Sequence, residues 1–396
     1  MHFFYSIFIQ LYGFAVHLAA IFNLKARDWI LGRENWQEKL TKKINITEKY
    51  CWIHCASAGE FEQAIPIIKE LRFKIPDLRF AVSFFSPSGY EMYHNSNLAD
   101  VFFYFPLDTK NNATQLIEIL KPEFVIFIRN EIWLNTLTVL QQKSIPTFLL
   151  NANIEQRRNF VYRKYLDIAY ALFTKVFDTT TFGNTKLERV IGNKEKSLSN
   201  AIIEDFCKDS FVIILGSSWQ TEEKYIVDFY KKNYGKIKPF KLIIAPHEPH
   251  EKIFKKIKSS MYFSELSKYT KYKINQESNI LYLDQKGILK YAYRYADIAF
   301  IGGGFGKGVH NISEAAVYGI PTIFGTHYHK FEEVNELVDL QVAFPVKDYE
   351  IFESTMLELI KNTALRKSIK VKLTEYFIQQ KRTSTHITQE ILGFLK

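Results

Sequence analysis

From residue 50 onward, short unbroken apolar runs alternate with stretches whose apolar positions recur at helical spacing, the pattern of repeated β-α-β units. In the first half the predicted strands are YCWIHCA (50–56), LRFAVSFFS (78–86), VFFYF (101–105), FVIFIRN (124–130), TFLLNAN (147–153) and KVFDTTT (175–181). Runs this continuous suit parallel strands covered on both faces. The series restarts with FVIILGSS (211–218), KLIIAPHE (241–248), NILYLD (279–284), DIAFIGGG (297–304) and PTIFG (321–325). Between the two series, residues 187–209 form a polar stretch that reads as a linker. The expected fold class is α/β: two Rossmann-like domains with parallel sheets, over residues 25–186 and 210–396, the second ending in helices.

The N-terminus departs from this pattern. Residues 3–22 carry no charge, and Lys25, Arg27 and Arg33 follow. As a helix the stretch would be about 30 Å long, one hydrocarbon thickness. A cleavable signal peptide fits poorly, because no basic segment precedes the apolar run. Residues 1–24 therefore read as a membrane-anchoring helix, with the basic flank on the cytoplasmic side. Ser6, Gln10 and His17 keep a half-immersed helix open beside a spanning one, and a buried core helix is the third alternative.

The chain has 396 residues, enough for two cores, and 47% hydrophobic against 24% charged residues excludes a disordered protein. The 52 basic and 42 acidic residues leave +10, which favours an anionic partner such as a phosphorylated ligand or an anionic membrane surface. A basic, aromatic-interleaved run, RRNFVYRK (157–164), suits nucleic acid, lipid phosphates or a solvated face. Exposed strands with interleaved aromatics are missing, so no nucleic acid is expected as partner. Cys51, Cys55 and Cys207 form no C-x-x-C pair and read as small core residues.

Distinctive polar residues collect at the carboxyl ends of the predicted strands: Glu60, Ser86, Glu131, Asn151, Ser217, His247, Asp284 and Gly302 to Gly304. In open parallel sheets that edge binds ligands, and two such edges presented to each other would make one cleft. The strongest local signal is GGGFGKGVHNISEAAVYGIP (302–321): glycines after a strand, a helix starting near His310 or Asn311, then Gly319 and Pro321 as stops. Glycines admit close approach to a ligand, the helix start offers N–H groups to an anion, and Glu314 is placed to accept ribose hydroxyls. A Walker A motif is excluded, since Gly308 follows Lys307. In CASAGEFEQAIPII (55–68), Ser57 to Gly59 turn the chain and leave Glu60 at a helix entrance, where the dipole should keep it ionised. Glu131 follows its strand directly, and Lys186 ends GNTK (183–186). No Asp-x-Asp occurs, and His327-x-His329 and His247/His250 have no third ligand at metal spacing.

In order along the chain, the apolar N-terminus, HCASAGE, FFSPSGYE, YFPLD, NEIWLN, NAN, GNTKLERV, GSSWQTEE, APHEPH, DQKGIL and the glycine-rich segment resemble the Kdo (3-deoxy-D-manno-octulosonic acid) transferases of Gram-negative bacteria over essentially the whole length. The resemblance implies a GT-B glycosyltransferase architecture of two facing Rossmann-like domains. It implies CMP-Kdo as donor and the phosphorylated lipid A precursor as acceptor, in lipopolysaccharide biosynthesis at the cytoplasmic face of the inner membrane. By the same resemblance Glu60 is the general base of an inverting transfer, and Glu131 and Lys186 support the transition state. Donor contacts would be Ser217, Ser218, Pro246, His247, Lys286, Gly287, Ile288, Gly303, Gly304, Asn311, Ile312, Ser313 and Glu314. The acceptor side would be Ser57, Gly59, Ser86, Asn151, Arg157 and Arg158. No metal or other cofactor is expected. The sequence departs from the family pattern at Arg129, where an acidic residue is common, at Leu134, and at His247-Glu248, where an arginine is absent; Lys286 or Lys307 would replace that cation. A GT-B transferase using a UDP-sugar for a lipid acceptor is the alternative.

Overall fold

The computed structural model describes residues 2–129, 131–152, 160–196, 199–260 and 266–395. It divides into two units, one of Met1–Arg189 with Gln380–Lys396 and one of Val190–Gln379.

The first unit is built on six parallel strands: β1 (Lys49–Cys55), β2 (Leu78–Phe84), β3 (Val101–Tyr104), β4 (Phe124–Ile128), β5 (Thr147–Ala152) and β6 (Lys175–Asp178). Their order is β3-β2-β1-β4-β5-β6, so the order reverses between β1 and β4. Alternation along β1 divides the core between two faces. Tyr50 and Trp52 pack with Phe103, Phe105 and Phe127 on one side. Cys51, Ile53 and Cys55 pack on the other, against Phe61, Ile65 and Ile68 of the helix Ala58–Lys74. That helix runs on through Pro66, an awkward residue for a helix interior that lies past its first turn.

The last helix, Thr383–Phe394, does not belong with the second unit as the sequence suggested. Its Ile387 and Ile391 are buried in the same face of the first sheet as Cys51 and Phe61. Lys175 to Glu390 (2.6 Å) and Ser384 to Glu188 (2.8 Å) fix its ends.

The second unit holds β7 (Val212–Ser218), β8 (Lys241–Pro246), β9 (Leu266–Lys268), β10 (Ile280–Tyr282), β11 (Ile298–Ile301), β12 (Thr322–Gly325) and β13 (Ala343–Val346), all parallel, in the order β13-β12-β11-β7-β8-β10-β9. Apart from the edge strand β9 this is the order of the first sheet, with the reversal between β7 and β11. All eleven predicted strands are present. The two missed, β9 and β13, are edge strands of three and four residues, and Pro345 masks the second. The predicted linker is also helical: Thr185–Glu195 crosses the unit boundary, and Ala201–Cys207 buries Ile203, Phe206 and Cys207.

The apolar N-terminus forms the helix His2–Ala19 and lies against the first unit. Tyr5, Ser6, Ile9, Tyr12, Gly13 and Val16 face inward at helical spacing. Tyr5 Oη donates to Asp108 Oδ2 (2.7 Å), Ser6 Oγ to Asn135 Oδ1 (3.1 Å), and Gly13 admits Leu107, whose methyl would lie 2.6 Å from a Cβ there. Among the described residues no helix is long and apolar enough to cross a membrane. Arg33, read from sequence as part of the basic flank, is instead buried. Its guanidinium donates to the carbonyls of Phe105, Trp29 and Phe85 and lies 3.7 Å from the Trp29 ring centroid.

Candidate functional site

In each unit the polar residues collect where the strand order reverses. In the first, the end of β1 carries His54 and leads through Ala56 and Ser57 to Glu60 in the first turn of its helix. The end of β4 leads through Arg129 to Glu131 and Trp133. Arg129 and Asn151, at the carboxyl ends of β4 and β5, both adopt the left-handed region (φ 62° and 53°). Such conformations in residues other than glycine cost about 1 kcal/mol or more and collect at functional sites.

Glu60 is half-buried, and its Oε2 accepts the Ala56 N–H at 2.5 Å. Burial first, and then the Glu131 carboxylate, push its pKa up to about 7 against the bonds from Ala56 and Ser57 and the charge of Arg129. The helix dipole therefore does not hold Glu60 permanently ionised, as its position in sequence suggested. Desolvation and a like charge outweigh it. A carboxylate balanced near neutrality is both available and basic enough to take a proton from a hydroxyl.

Glu131 ends a buried polar chain that sequence reasoning missed. His54 is fully buried, with Nε2 3.2 Å from Glu131 Oε2 and Nδ1 2.8 Å from Ser83 Oγ. Ser83 Oγ also accepts from Trp52 Nε1 (2.8 Å), and Trp133 Nε1 donates to Glu131 Oε2 (3.0 Å). A histidine and a serine within apolar strands look like ordinary interior residues. Their place opposite each other in the β1–β2 register was the available signal.

Other expected acceptor-side residues divide. Ser57 and Ser86 precede helices at this edge, and Gly59 lies in the first turn of the helix Ala58–Lys74, where a Cβ would meet nothing within 4 Å. Ser86 Oγ is 2.7 Å from Ser88 Oγ. Asn151 is buried, and its amide is committed to Gln63 (2.8 Å) and Thr185 (2.7 Å). It ties β5 to two helices and is unavailable to an acceptor. Lys186 is half-buried, its backbone N–H bonded to Asn184 Oδ1 (2.9 Å). Arg157 and Arg158 lie outside the described residues.

In the second unit the ends of β7 and β11 nearly touch. A Cβ on Gly302 would lie 2.1 Å from the Ser217 carbonyl oxygen, and one on Gly304 2.4 Å from Gly325 N. Ser217 is left-handed (φ 51°) at an irregularity in the β7–β8 register. Buried Glu222 accepts Gly303 N–H (2.8 Å) and Trp219 N–H (3.2 Å), and Ser218 Oγ donates to Glu223 (3.1 Å). These bonds shape the glycine loop and commit Ser218 to the protein. Three rings stand over it: Trp219 stacks on His247 (4.9 Å), and His247 on His310 (4.5 Å). Trp219, half exposed and absent from the sequence-derived set, also donates from Nε1 to His310 Nε2 (3.0 Å). Burial, then His247, lowers the His310 pKa.

The helix expected after the glycines is only Ser313–Ala316, because Gly319 (φ 82°) and Pro321 end it early. One helical turn gives little dipole, so the helix-start argument for anion binding is withdrawn. What remains at that segment is chemical. Asn311 Nδ2 donates to Glu314 Oε1 (3.2 Å), while Asn311 Oδ1 and Ser313 Oγ are buried without a protein partner. Ile312 and Pro246 are buried. Lys286 and Gly287 are exposed, Ile288 is half-buried, and Lys307 is exposed in the glycine loop. Asp284 is committed to Thr270 (3.0 Å to its backbone N–H).

Residues 34–191 match the family model for 3-deoxy-D-manno-octulosonic-acid transferase (kdotransferase). A 3-deoxy-D-manno-octulosonic acid transferase of Aquifex aeolicus is 29% identical over 81% of this chain and 88% of its own. A bifunctional glycosyltransferase/methyltransferase of Fusobacterium nucleatum is 24% identical over 87% of this chain, which spans 57% of that relative's length. Among solved structures, UDP-GlcNAc 2-epimerase of Neisseria meningitidis (TM-score 0.60, 15% identity, 87% of this chain and 100% of that one) and MurG of Acinetobacter baumannii (0.56, 13%, 87% and 99%) share the fold. With two parallel Rossmann-type sheets, a paired-carboxylate edge in one unit and a glycine-loop edge in the other, the architecture is GT-B, and residues 34–191 carry the domain described as 3-deoxy-D-manno-octulosonic-acid transferase (kdotransferase).

Proposed function

We propose that this protein transfers Kdo from CMP-Kdo to the phosphorylated lipid A precursor with inversion, Glu60 acting as the base. The observation that carries the reading is the pair Glu60 and Glu131 at the reversal point of the first sheet, one poised near neutrality beside the other. Glu60 takes the proton of the acceptor hydroxyl as its oxygen bonds to the anomeric carbon. The bond from that carbon to the CMP phosphate oxygen breaks, and the electron pair leaves on CMP. Donor groups would meet the glycine loop and the Asn311–Glu314 segment, where two buried oxygens stand unpaired. His247, Lys286 and Lys307 would supply charge or hydrogen bonds to the donor phosphate or carboxylate. Incubation with CMP-Kdo and the lipid A precursor, followed by mass spectrometry of the lipid, is expected to show added Kdo. An unchanged lipid, with UDP competing for the donor site better than CMP, would replace this reading with a UDP-sugar transferase.

The N-terminal helix supports attachment to an anionic membrane, in this reading the cytoplasmic face of the inner membrane. Phe4, Phe8 and Leu11 point away from the first unit and are 74, 62 and 61% exposed. An apolar outer face on a helix pinned to the protein suits immersion along the interface. Each such side chain contributes about 2 kcal/mol when buried. A triple change, Phe4→Glu, Phe8→Glu and Leu11→Glu, is expected to weaken co-sedimentation with anionic vesicles at least about 100-fold while leaving thermal stability nearly unchanged. Undiminished vesicle binding would show that this face is not the attachment.

A further inference from the structure

The helix Leu134–Gln142 begins just beyond Glu131, yet the residue at its head, Trp133, supplies no capping side chain. A helix start leaves backbone N–H groups without partners inside the helix, and unpaired groups are costly once buried. Here the partner comes from another loop. Buried Asp108 accepts the Asn135 N–H on Oδ2 (3.1 Å) and the Thr136 N–H and hydroxyl on Oδ1 (2.9 and 2.6 Å). Its backbone carbonyl accepts from Asn135 Nδ2 (2.6 Å). The fourth donor to the carboxylate is Tyr5 Oη (2.7 Å), and Ser6 Oγ donates to Asn135 Oδ1 (3.1 Å). Both come from the N-terminal helix His2–Ala19.

Two further routes lead from that helix to the same segment. The Tyr5 ring stacks on Tyr165 (6.3 Å), whose hydroxyl donates to the Ile132 carbonyl (3.1 Å). Tyr12 lies against Phe85 (6.4 Å), which stacks on the Trp133 indole (5.0 Å). The indole N–H in turn lies 3.0 Å from Glu131 Oε2 and 2.9 Å from His54 Nε2. Ile132, Trp133 and Asn135 are thus each held by a group that itself rests on the N-terminal helix.

We propose that Asp108 is a positioning residue through which the N-terminal helix, by Tyr5 and Ser6, fixes the Glu131–Trp133 segment at the edge of the first sheet. The proposal deepens the transferase reading and rests on it for the use made of Glu131. A helix that served attachment alone would need only its apolar outer face. The two inward hydroxyls, on an otherwise apolar segment, have this second task. Misplacing a group at a reaction site by about 1 Å costs on the order of 10²-fold in rate, so the frame matters to transfer even where no membrane is present.

The test separates positioning from attachment by supplying the acceptor dispersed in detergent, so that membrane binding no longer limits the rate. The double change Tyr5→Phe with Ser6→Ala removes two hydroxyls and keeps the ring on Tyr165. It should lower kcat by about 10- to 100-fold, with the KM for CMP-Kdo within a few-fold of wild type. Asp108→Asn should lower kcat at least as far. In parallel, 5-fluorotryptophan is incorporated and read by 19F NMR without substrate, single Trp→Phe changes assigning the signals. The Trp133 signal should shift or broaden in both variants, while that of Trp52, in the core of the same unit, stays in place. A merely structural role would lower the unfolding temperature and leave kcat and the Trp133 signal unmoved. Transfer by the double variant within a few-fold of wild type overturns the proposal, and so does an unmoved Trp133 signal. If Asp108→Asn does not fold, the double variant decides alone. A wild type inert toward CMP-Kdo would count against the substrate reading only, because the Trp133 signal still reports on the frame.

Discussion

Glu60→Gln is expected to lower transfer by about 10²- to 10⁴-fold while leaving donor affinity within a few-fold of wild type, because it removes proton uptake without removing volume. The wild-type rate should rise across neutrality. With the pKa raised to about 7, the fraction of ionised base grows as pH passes that value, and the profile should show one acid-side limb there. Stability should run the other way. A carboxyl raised above its ordinary value of 4.5 stabilises the fold fully below 4.5, and that contribution is lost as pH rises through about 7. At pH 8 the glutamine variant should therefore be more stable than wild type, by roughly 1–3 kcal/mol. Single-turnover transfer and thermal unfolding across pH check both halves. Transfer within a few-fold of wild type would remove Glu60 from the role of base.

Gly304→Val is expected to be among the most damaging single changes in the second unit. The site for its Cβ lies 2.4 Å from Gly325 N and 2.7 Å from Gly325 Cα, so the obstacle is the backbone at the end of β12 rather than a movable side chain. Overpacking of this kind costs about 3 kcal/mol or more, or a fall in Tm of roughly 10 °C for a unit of this size. CMP binding should be lost with it, since Gly303 and Gly304 shape the loop beneath Trp219, His247 and His310. Gly59→Ala provides the contrast: its Cβ would face open space, so stability should change by less than about 0.5 kcal/mol. Calorimetry on the two variants is decisive, and a Gly304→Val protein as stable as Gly59→Ala would refute the packing argument.

What the sequence disclosed and what it concealed have physical causes. Long apolar runs mark buried parallel strands well, and the residues just after them mark the ligand edge. Glu60, Glu131 and the Gly302–Gly304 turn accordingly lie at the carboxyl ends of strands in the two sheets. The short edge strands β9 and β13 carry too few residues to show a period. His54 and Ser83 were hidden because burial looks the same from sequence whether a polar group is structural or aimed at a carboxylate. Asn151 misled for the converse reason. It stands at a strand end in a left-handed conformation, but its amide is committed inward. The helix after the glycine loop was overestimated because Gly319 and Pro321 act earlier than their positions alone suggest.

The return of the helix Thr383–Phe394 to the first sheet makes the second unit an insertion within the first. The hydrophobic face that receives Ile387 and Ile391 is translated early and lacks that cover until the whole second unit has emerged. During synthesis, strands next to the Glu60 helix thus present apolar surface to solvent or to chaperones. Truncation after residue 379 should for that reason injure the distant first unit, and a separately expressed 190–379 segment is the piece better suited to fold alone.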